Sequence, residues 1–352
     1  MSRVQILTID QDAAEQRLDR WFRRQFPHVP QGRIEKMCRK GDIRVDGGRV
    51  KPSTRVGPGQ KVRVPPLPDP GQSPVPARTP RPRSLVSDAD AAMIRDCVLY
   101  KDDHIIALNK PAGLAVQGGS KQTRHVDGML EALRFERDDK PRLVHRLDKD
   151  TSGILLLARS AKMATDLTRA FRDRATRKIY WAIVAGVPLP RKGTIRFGLV
   201  KRGGHGPHGE GEKMYCVHPR EIEDTDGAKR STTDYAVLET LAPRAAWVAL
   251  VPITGRKHQL RAHMAELGHP IAGDGKYGGS GQENLGDGWG AGLGGDLSKK
   301  LHLHARSLTL KHPATGKDLT VTAPLPDHMR RSWDYLGWSE NDVPADPFGD
   351  DA

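Results

Sequence analysis

At 352 residues the chain is long enough for two hydrophobic cores, and 57 Lys plus Arg against 43 Asp plus Glu give it a formal charge of +14. A polyanion is the expected partner. Nucleic acid leads over a membrane surface, because no apolar run is long enough to span a bilayer and no basic amphipathic helix accompanies a lipidation signal. Cys38, Cys97 and Cys216 stand too far apart for a disulfide framework or a zinc knuckle, and M-S-R-V-Q-I-L-T-I-D lacks the apolar core of a signal peptide; both point to a reducing cytoplasm.

Leu18, Trp21, Phe22 and Phe26 recur at helical spacing, with Arg17, Arg20, Arg23 and Arg24 largely on other faces, which predicts a short basic amphipathic helix from Arg17 to Phe26. A second helix over Gln31 to Lys40 offers Ile34, Met37 and Cys38 to a core and leaves Arg33, Lys36, Arg39 and Lys40 to solvent, with Gly41 as its stop. I-R-V-D-G-G-R-V then reads as a hairpin turning at Asp46, Gly47 and Gly48, and Q-K-V-R-V at 60–64 as another strand. Residues 1–64 hold 15 Lys and Arg against 7 Asp and Glu, more than half of the chain's excess charge, so this segment is the electrostatic anchor. Two small helices followed by a hairpin resemble the S4 RNA-binding domain, and that resemblance makes Arg33, Lys36, Arg39 and Lys40 RNA contacts; a generic basic αβ module is the alternative.

The proline-rich stretch at 65–84 cannot form a helix or a sheet ladder, and residues 65–90 read as a semi-extended linker that tethers one domain to the next. A second domain is expected over residues 91–338. H-I-I-A-L-N-K-P-A-G at 104–113 is strand-like, Ala161 to Arg174 has helical spacing, K-I-Y-W-A-I-V-A-G at 178–186 is a strand, and the segments 235–241 and 247–253 form a hairpin. H-Q-L-R-A-H-M-A-E-L-G at 258–268 is a helix closed by Gly268. This mixed order argues for an α+β fold with a mixed, largely antiparallel sheet flanked by helices. The Gly-rich tracts at 203–211 and 278–296 lack the order of a phosphate loop and read as insertions, and the acidic tail over 339–352 reads as disordered.

Between L-V at 143–144 and the buried strand I-L-L-L-A at 154–158 lies H-R-L-D-K-D-T-S-G, positions 145–153, a polar nonamer held as a loop between rigid elements. Asp148 sits in it among cations and can serve as a nucleophile. The same residues also suit a turn, a helix cap or a surface ion pair, and their chemistry alone does not choose. His145, His258, His263, His269, His302 and His304 raise a zinc site, but the 258/263 spacing separates those two around a helix and 302/304 falls on a strand, so no metal is expected.

The literal string H-R-L-D-x-x-T-S-G resembles the catalytic loop of the RluA-type pseudouridine synthases, and three further pieces extend the resemblance over most of residues 95–335. Tyr180 in K-I-Y is similar to the tyrosine that the family stacks against its target base. Arg261 in T-G-R-K-H-Q-L-R is similar to the arginine that pairs with the catalytic aspartate, although Lys257 departs from the usual Thr or Ser. G-H-P-I-A-G-D-G-K-Y-G at 268–278 continues the pattern. The resemblance implies a pseudouridine synthase fold, an isomerase that needs no cofactor, and large-subunit ribosomal RNA as partner, and it makes Asp148, Tyr180 and Arg261 catalytic. Arg146, next to the nucleophile, and His145 are expected contacts to the flipped nucleotide, and with no long apolar zipper in the sequence a monomer is the default. A non-catalytic RNA-binding assembly factor, and a synthase acting on transfer RNA, are the competing readings.

Overall fold

The computed structural model describes residues 4–10, 15–67, 86–119, 122–171, 175–202, 213–278 and 297–349. Most of the expected linker and nearly all of both Gly-rich tracts lie outside the described residues. The chain divides into two compact units, Met1–Leu85 and Val86–Ala352.

In the first unit β1 (Gln5–Thr8) pairs antiparallel with β6 (Lys61–Val64), β6 with β3 (Arg44–Val45) and β3 with β4 (Gly48–Arg49), while β2 (Gln16–Arg17) pairs with β5 (Arg55–Val56). Helices α1 (Leu18–Gln25) and α2 (Gln31–Lys40) bury Leu18, Trp21, Phe22, Ile34, Met37 and Cys38 in one core with Val62. Gly41 ends α2 at φ +78, a left-handed conformation that a side chain would resist. The hairpin turns on Asp46 and Gly47, at φ 50 and 79, and Gly48 already belongs to β4. Arg33, Lys36, Arg39 and Lys40 are all exposed along α2.

The second unit starts earlier than composition predicts. Helix α3 (Asp88–Asp96) starts inside the stretch read as linker, where Ser87 accepts the Asp90 N–H as an N-cap, and Ile94 further along it is fully buried. There follow β7 (Val98–Lys101), β8 (Ile105–Lys110), α4 (Val126–Met129), β9 (Arg142–Leu143), β10 (Ser152–Ala158), α5 (Ala161–Ala170), β11 (Arg177–Ala185) and β12 (Lys192–Arg202). Then come β13 (Lys213–Val217), β14 (Lys229–Leu241), β15 (Ala245–Pro252), α6 (Gln259–Glu266), β16 (Leu303–Lys311), β17 (Asp318–Thr322) and α7 (Asp327–Leu336). Among the described residues eleven strands share one sheet in the order β13-β12-β14-β15-β11-β16-β10-β8-β7, with β17 added to β16 and β9 to β10.

Every pairing in this sheet is antiparallel except that of β10 with β16, which meet in parallel only at Ser152↔His304 and Gly153↔Ala305. Strand β10 is buried throughout because both faces are covered. Leu155 and Leu157 pack with Ile94 and Leu130, while Ile154 and Leu156 pack with Met163 and Leu167 of α5. The S-G end of the nonamer is therefore strand and not loop, a correction that the Ser152 Oγ to His304 Nδ1 hydrogen bond of 2.8 Å helps to fix.

The acidic tail is also corrected over its described part. Asp346 accepts both Nε and Nη2 of Arg177 at 2.9 and 2.8 Å, and Phe348 packs under the same guanidinium and against the tryptophan cluster. Glu340 adds an ion pair with Arg306 at 2.6 Å and Val343 packs on the same tryptophans, so a few specific contacts dock a segment whose average composition reads as unfolded.

His263, His302 and His304 are fully buried and hydrogen-bonded to Ser231, Ser332 and Ser152. Burial pushes them down from 6.5 to about 4, about 3 and about 4. Each is neutral in the fold and gains a proton on unfolding below pH 6.5. Stability is thus complete above that pH and falls as acid is added, by about 1.4 kcal/mol per pH unit for each histidine until the folded form also titrates. Urea unfolding at pH 7.5 and 5.5 should show a clear loss at the lower value; equal midpoints would contradict this account.

Candidate active site

Asp148 lies on the segment that leads into β10, and several contacts fix the segment from below. Leu147 is buried, and the Thr151 N–H closes a turn on the Asp148 carbonyl at 3.2 Å. Lys110, at the end of β8, is completely buried, and its Nζ donates to the carbonyls of Pro111, Leu114 and Lys149 at 2.8, 2.9 and 3.0 Å. Burial pushes this lysine down to about 7 against the opposing pull of Asp150 and Asp148, yet three acceptors need three N–H donors, which only the ammonium form has. Gly153 closes the segment at φ +103, where a Cβ would stand 2.3 Å from the Ala305 carbonyl oxygen. No other residue fits that position without displacing β16.

The facing wall comes from α6 and the turn before it. Gln259 ties that turn down: its Oε1 accepts from Thr254 Oγ1 and the Arg256 N–H, and its Nε2 donates to Thr232 and Thr233. Further along the helix, Arg261 extends inward and is gripped by a carboxylate that sequence reasoning missed. Asp274 accepts Arg261 Nε at 2.6 Å and Nη2 at 2.7 Å, and its Oδ1 also accepts the Lys276 and Tyr277 N–H groups. The remaining terminal nitrogen, Nη1, stands 3.6 Å from Asp148 Oδ2. Burial works against the charge on Arg261, but the ionic hydrogen bonds to Asp274, with a smaller pull from Asp148, leave it raised above its ordinary value. The expected partnership of Arg261 with Asp148 is thus the looser of two, and Asp274 is what holds the guanidinium in place.

Tyr180 reaches the same place across the sheet. It pairs with Ala305 of β16, which pairs in turn with Gly153, so Tyr180, Ala305 and the base of the Asp148 segment lie in one line over three strands. A register shift between Ile179 and Tyr180 marks the spot. Burial first, then the Asp148 charge, raises the phenol well above its ordinary value, so it stays protonated. Tyr180, Asp148, Arg146, His258 and Arg261 line a cavity of about 230 Å³. A larger adjoining groove of about 1120 Å³ shares Arg146, Asp148, Lys257, His258 and Arg261 and adds Lys149, Lys213, Lys276, Lys299 and Lys300.

His145 is absent from both walls. Its Nε2 accepts the Leu156 N–H at 2.8 Å and its ring stacks on Phe171 at 4.3 Å, while burial, with Lys178 adding a little, pushes it down to about 3. It braces the segment from behind, and its expected contact with the nucleotide is corrected accordingly. Arg146, its neighbour, is exposed and lines both cavities, on the far side of a bend at His145. His258, His263, His269, His302 and His304 are held on separate hydrogen bonds, and among the described residues no three His, Cys, Asp or Glu are grouped to hold a metal.

A groove lined by lysines and arginines, opening into a small pocket that holds Tyr180, His258 and the Asp148 carboxylate, has the charge and shape that suit chemistry on a single unit of a polynucleotide. Residues 104–266 match the RNA pseudouridylate synthase family and residues 16–62 the S4 domain. The chain belongs to the RNA pseudouridylate synthases, isomerases that act on RNA. It is 36% identical over 333 residues to ribosomal large subunit pseudouridine synthase C of Vibrio cholerae, covering 94% of this chain and 96% of that one. To the protein of the same name from Escherichia coli K12 it is 35% identical over 332 residues, 93% and 95% of the two. The solved structure of human RNA pseudouridylate synthase domain containing 4 aligns with a TM-score of 0.56 at 32% identity, over 70% of this chain and 95% of that one.

The Asp274 carboxylate is 0% exposed, so its removal strands a buried guanidinium. Asp274→Ala should destabilise the second unit by about 3–5 kcal/mol. An unchanged melting temperature in that variant would show that Arg261 is held by something else.

Proposed function

We propose that the chain converts uridines of large-subunit ribosomal RNA to pseudouridine, as a monomer in the cytoplasm, with Asp148 as the catalytic carboxylate. The reaction breaks the bond from N1 to C1′, turns the base, and joins C5 to C1′. No atom is gained or lost, so no redox cofactor or energy source enters. The target must leave its helix first, and Arg146 would hold the flipped nucleotide or the space it leaves. Tyr180 would keep the detached uracil from drifting by stacking, an interaction of about 1–3 kcal/mol per base.

One observation carries this reading: the Asp148 carboxylate stands 3.6 Å from Arg261 at the junction of the small cavity and the cationic groove. A protein that only binds RNA gains nothing from a part-buried acid there, since it repels phosphate. The relatives named as ribosomal large subunit pseudouridine synthases span nearly the whole of both chains, which supports ribosomal over transfer RNA. Three unpaired cysteines suit a reducing compartment.

Asp148→Asn keeps the shape and removes the charge. It should lower single-turnover pseudouridine formation at least a thousandfold, about 4 kcal/mol of barrier, while RNA affinity stays within about twofold. Turnover at the parental rate in the purified variant would overturn the assignment.

The exposed cations of α2 are the proposed RNA grip of the first unit. Replacing Arg33, Lys36, Arg39 and Lys40 together by Gln should weaken RNA binding and flatten the plot of log affinity against log salt, by about 0.7–0.9 for each phosphate no longer neutralised. A parallel plot for the two proteins would remove α2 from the interface.

A further inference from the structure

His258 has no role in the reading above, yet it lines both cavities. Its backbone is left-handed, at φ 52 and ψ 21, directly ahead of α6. A non-glycine residue in that region carries a strain of about 1–2 kcal/mol, which persists only where surrounding contacts require it.

Its ring stands between two oxygens. Nδ1 is 2.9 Å from the Tyr277 hydroxyl, and Nε2 is 3.8 Å from Asp148 Oδ2. The protons can be assigned by counting. The Met214 N–H donates to the Tyr277 oxygen at 2.9 Å and can only donate, so one lone pair of that oxygen is taken. The phenol has one proton, and among the described residues the imidazole nitrogen is the acceptor it meets. The hydroxyl therefore donates to Nδ1, and the ring carries its own proton on Nε2, aimed at Asp148.

We propose that His258 is a positioning residue that acts as a neutral donor: with Arg261 it holds Oδ2 of Asp148, and Tyr277 fixes the tautomer that makes this possible. The inference rests on Asp148 being the reacting acid. Both Nε2 of His258 and Nη1 of Arg261 approach the same oxygen, so Oδ1 is the one presented to the substrate. At 3.8 Å the contact is longer than a hydrogen bond, and contacts of this kind commonly tighten when substrate binds and dries the site.

The neutral state agrees with the surroundings. Burial pushes His258 down to about 4, Asp148 pulls the other way, and Arg261, Lys257 and Lys276 reinforce the burial. Burial also pushes the Tyr277 hydroxyl up to about 12, so it keeps the proton it donates. A charged imidazole would add a third cation beside Arg261 and compete for the carboxylate; a neutral one steers it without neutralising it.

The first test needs no variant. In 15N NMR of the selectively labelled full-length protein at pH 7.5, His258 should show a protonated Nε2 and a bare Nδ1, and a protonated Nδ1 or a charged ring would overturn the proposal. Kinetics on the RNA substrate give the second. His258→Ala should slow single turnover about 10- to 100-fold with affinity changed less than twofold, and His258→Gln, which offers an amide donor, should recover part of the loss. Tyr277→Phe should cost less than His258→Ala, and should add little to it when the two are combined. A parental rate in His258→Ala, beside an inactive Asp148→Asn, would sink this inference alone. Activity in Asp148→Asn would instead sink the reading beneath it.

Discussion

Two oxygens of Asp274 hold two nitrogens of Arg261 inside the protein, and the rest of the site is arranged around that pair. A guanidinium at this depth could not stay charged and fixed without a full-time counter-ion, because desolvation costs several kcal/mol per buried ion. Asp274 meets that need, and its own lone pairs are satisfied by the backbone of Lys276 and Tyr277. The consequence is a division of labour. One carboxylate is locked against the arginine by short, paired hydrogen bonds, and the other, Asp148, feels the same charge at 3.6 Å without being locked. An acid buried as fully and paired as tightly as Asp274 is not free to turn toward a cavity.

The opposite side follows the same logic with different chemistry. The segment carrying Asp148 has little regular structure, so its shape is set by tertiary contacts: three carbonyls gathered on the Lys110 ammonium, the close approach of Gly153 to β16, and His145 braced from behind. Positioning by buried donors costs less mobility than a longer helix or strand would, and it leaves the acid at the edge of the groove and not within the sheet.

Much of the fold is legible in the sequence because it obeys simple periodicities. The apolar positions of α2 and the unbroken run in β10 announce a half-buried helix and a fully buried strand, and the nonamer around Asp148 is specific enough to stand out from turn chemistry. What is illegible has a common cause. Lys110 after an apolar strand reads as a solvated end, and Asp274 between glycines reads as a turn; both are assigned by partners that only folding brings near. His145 reads as a nucleotide contact only if adjacency to Arg146 implies a shared side, and the bend at His145 turns its ring back onto Phe171 and the Leu156 N–H. The tail reads as disordered because composition averages over the few residues that anchor it, Glu340, Val343, Asp346 and Phe348.

The brief parallel junction of β10 with β16 joins positions separated by 152 residues, Ser152 to His304. Pairings of such long sequence separation carry a large loop-closure cost and are slow to form. During synthesis the stretch bearing Asp148 leaves the ribosome well before the strand that forms its floor. The growing polypeptide thus carries Asp148 without the strand against which Gly153 packs, and the cavity it lines is complete only when β16 joins the sheet.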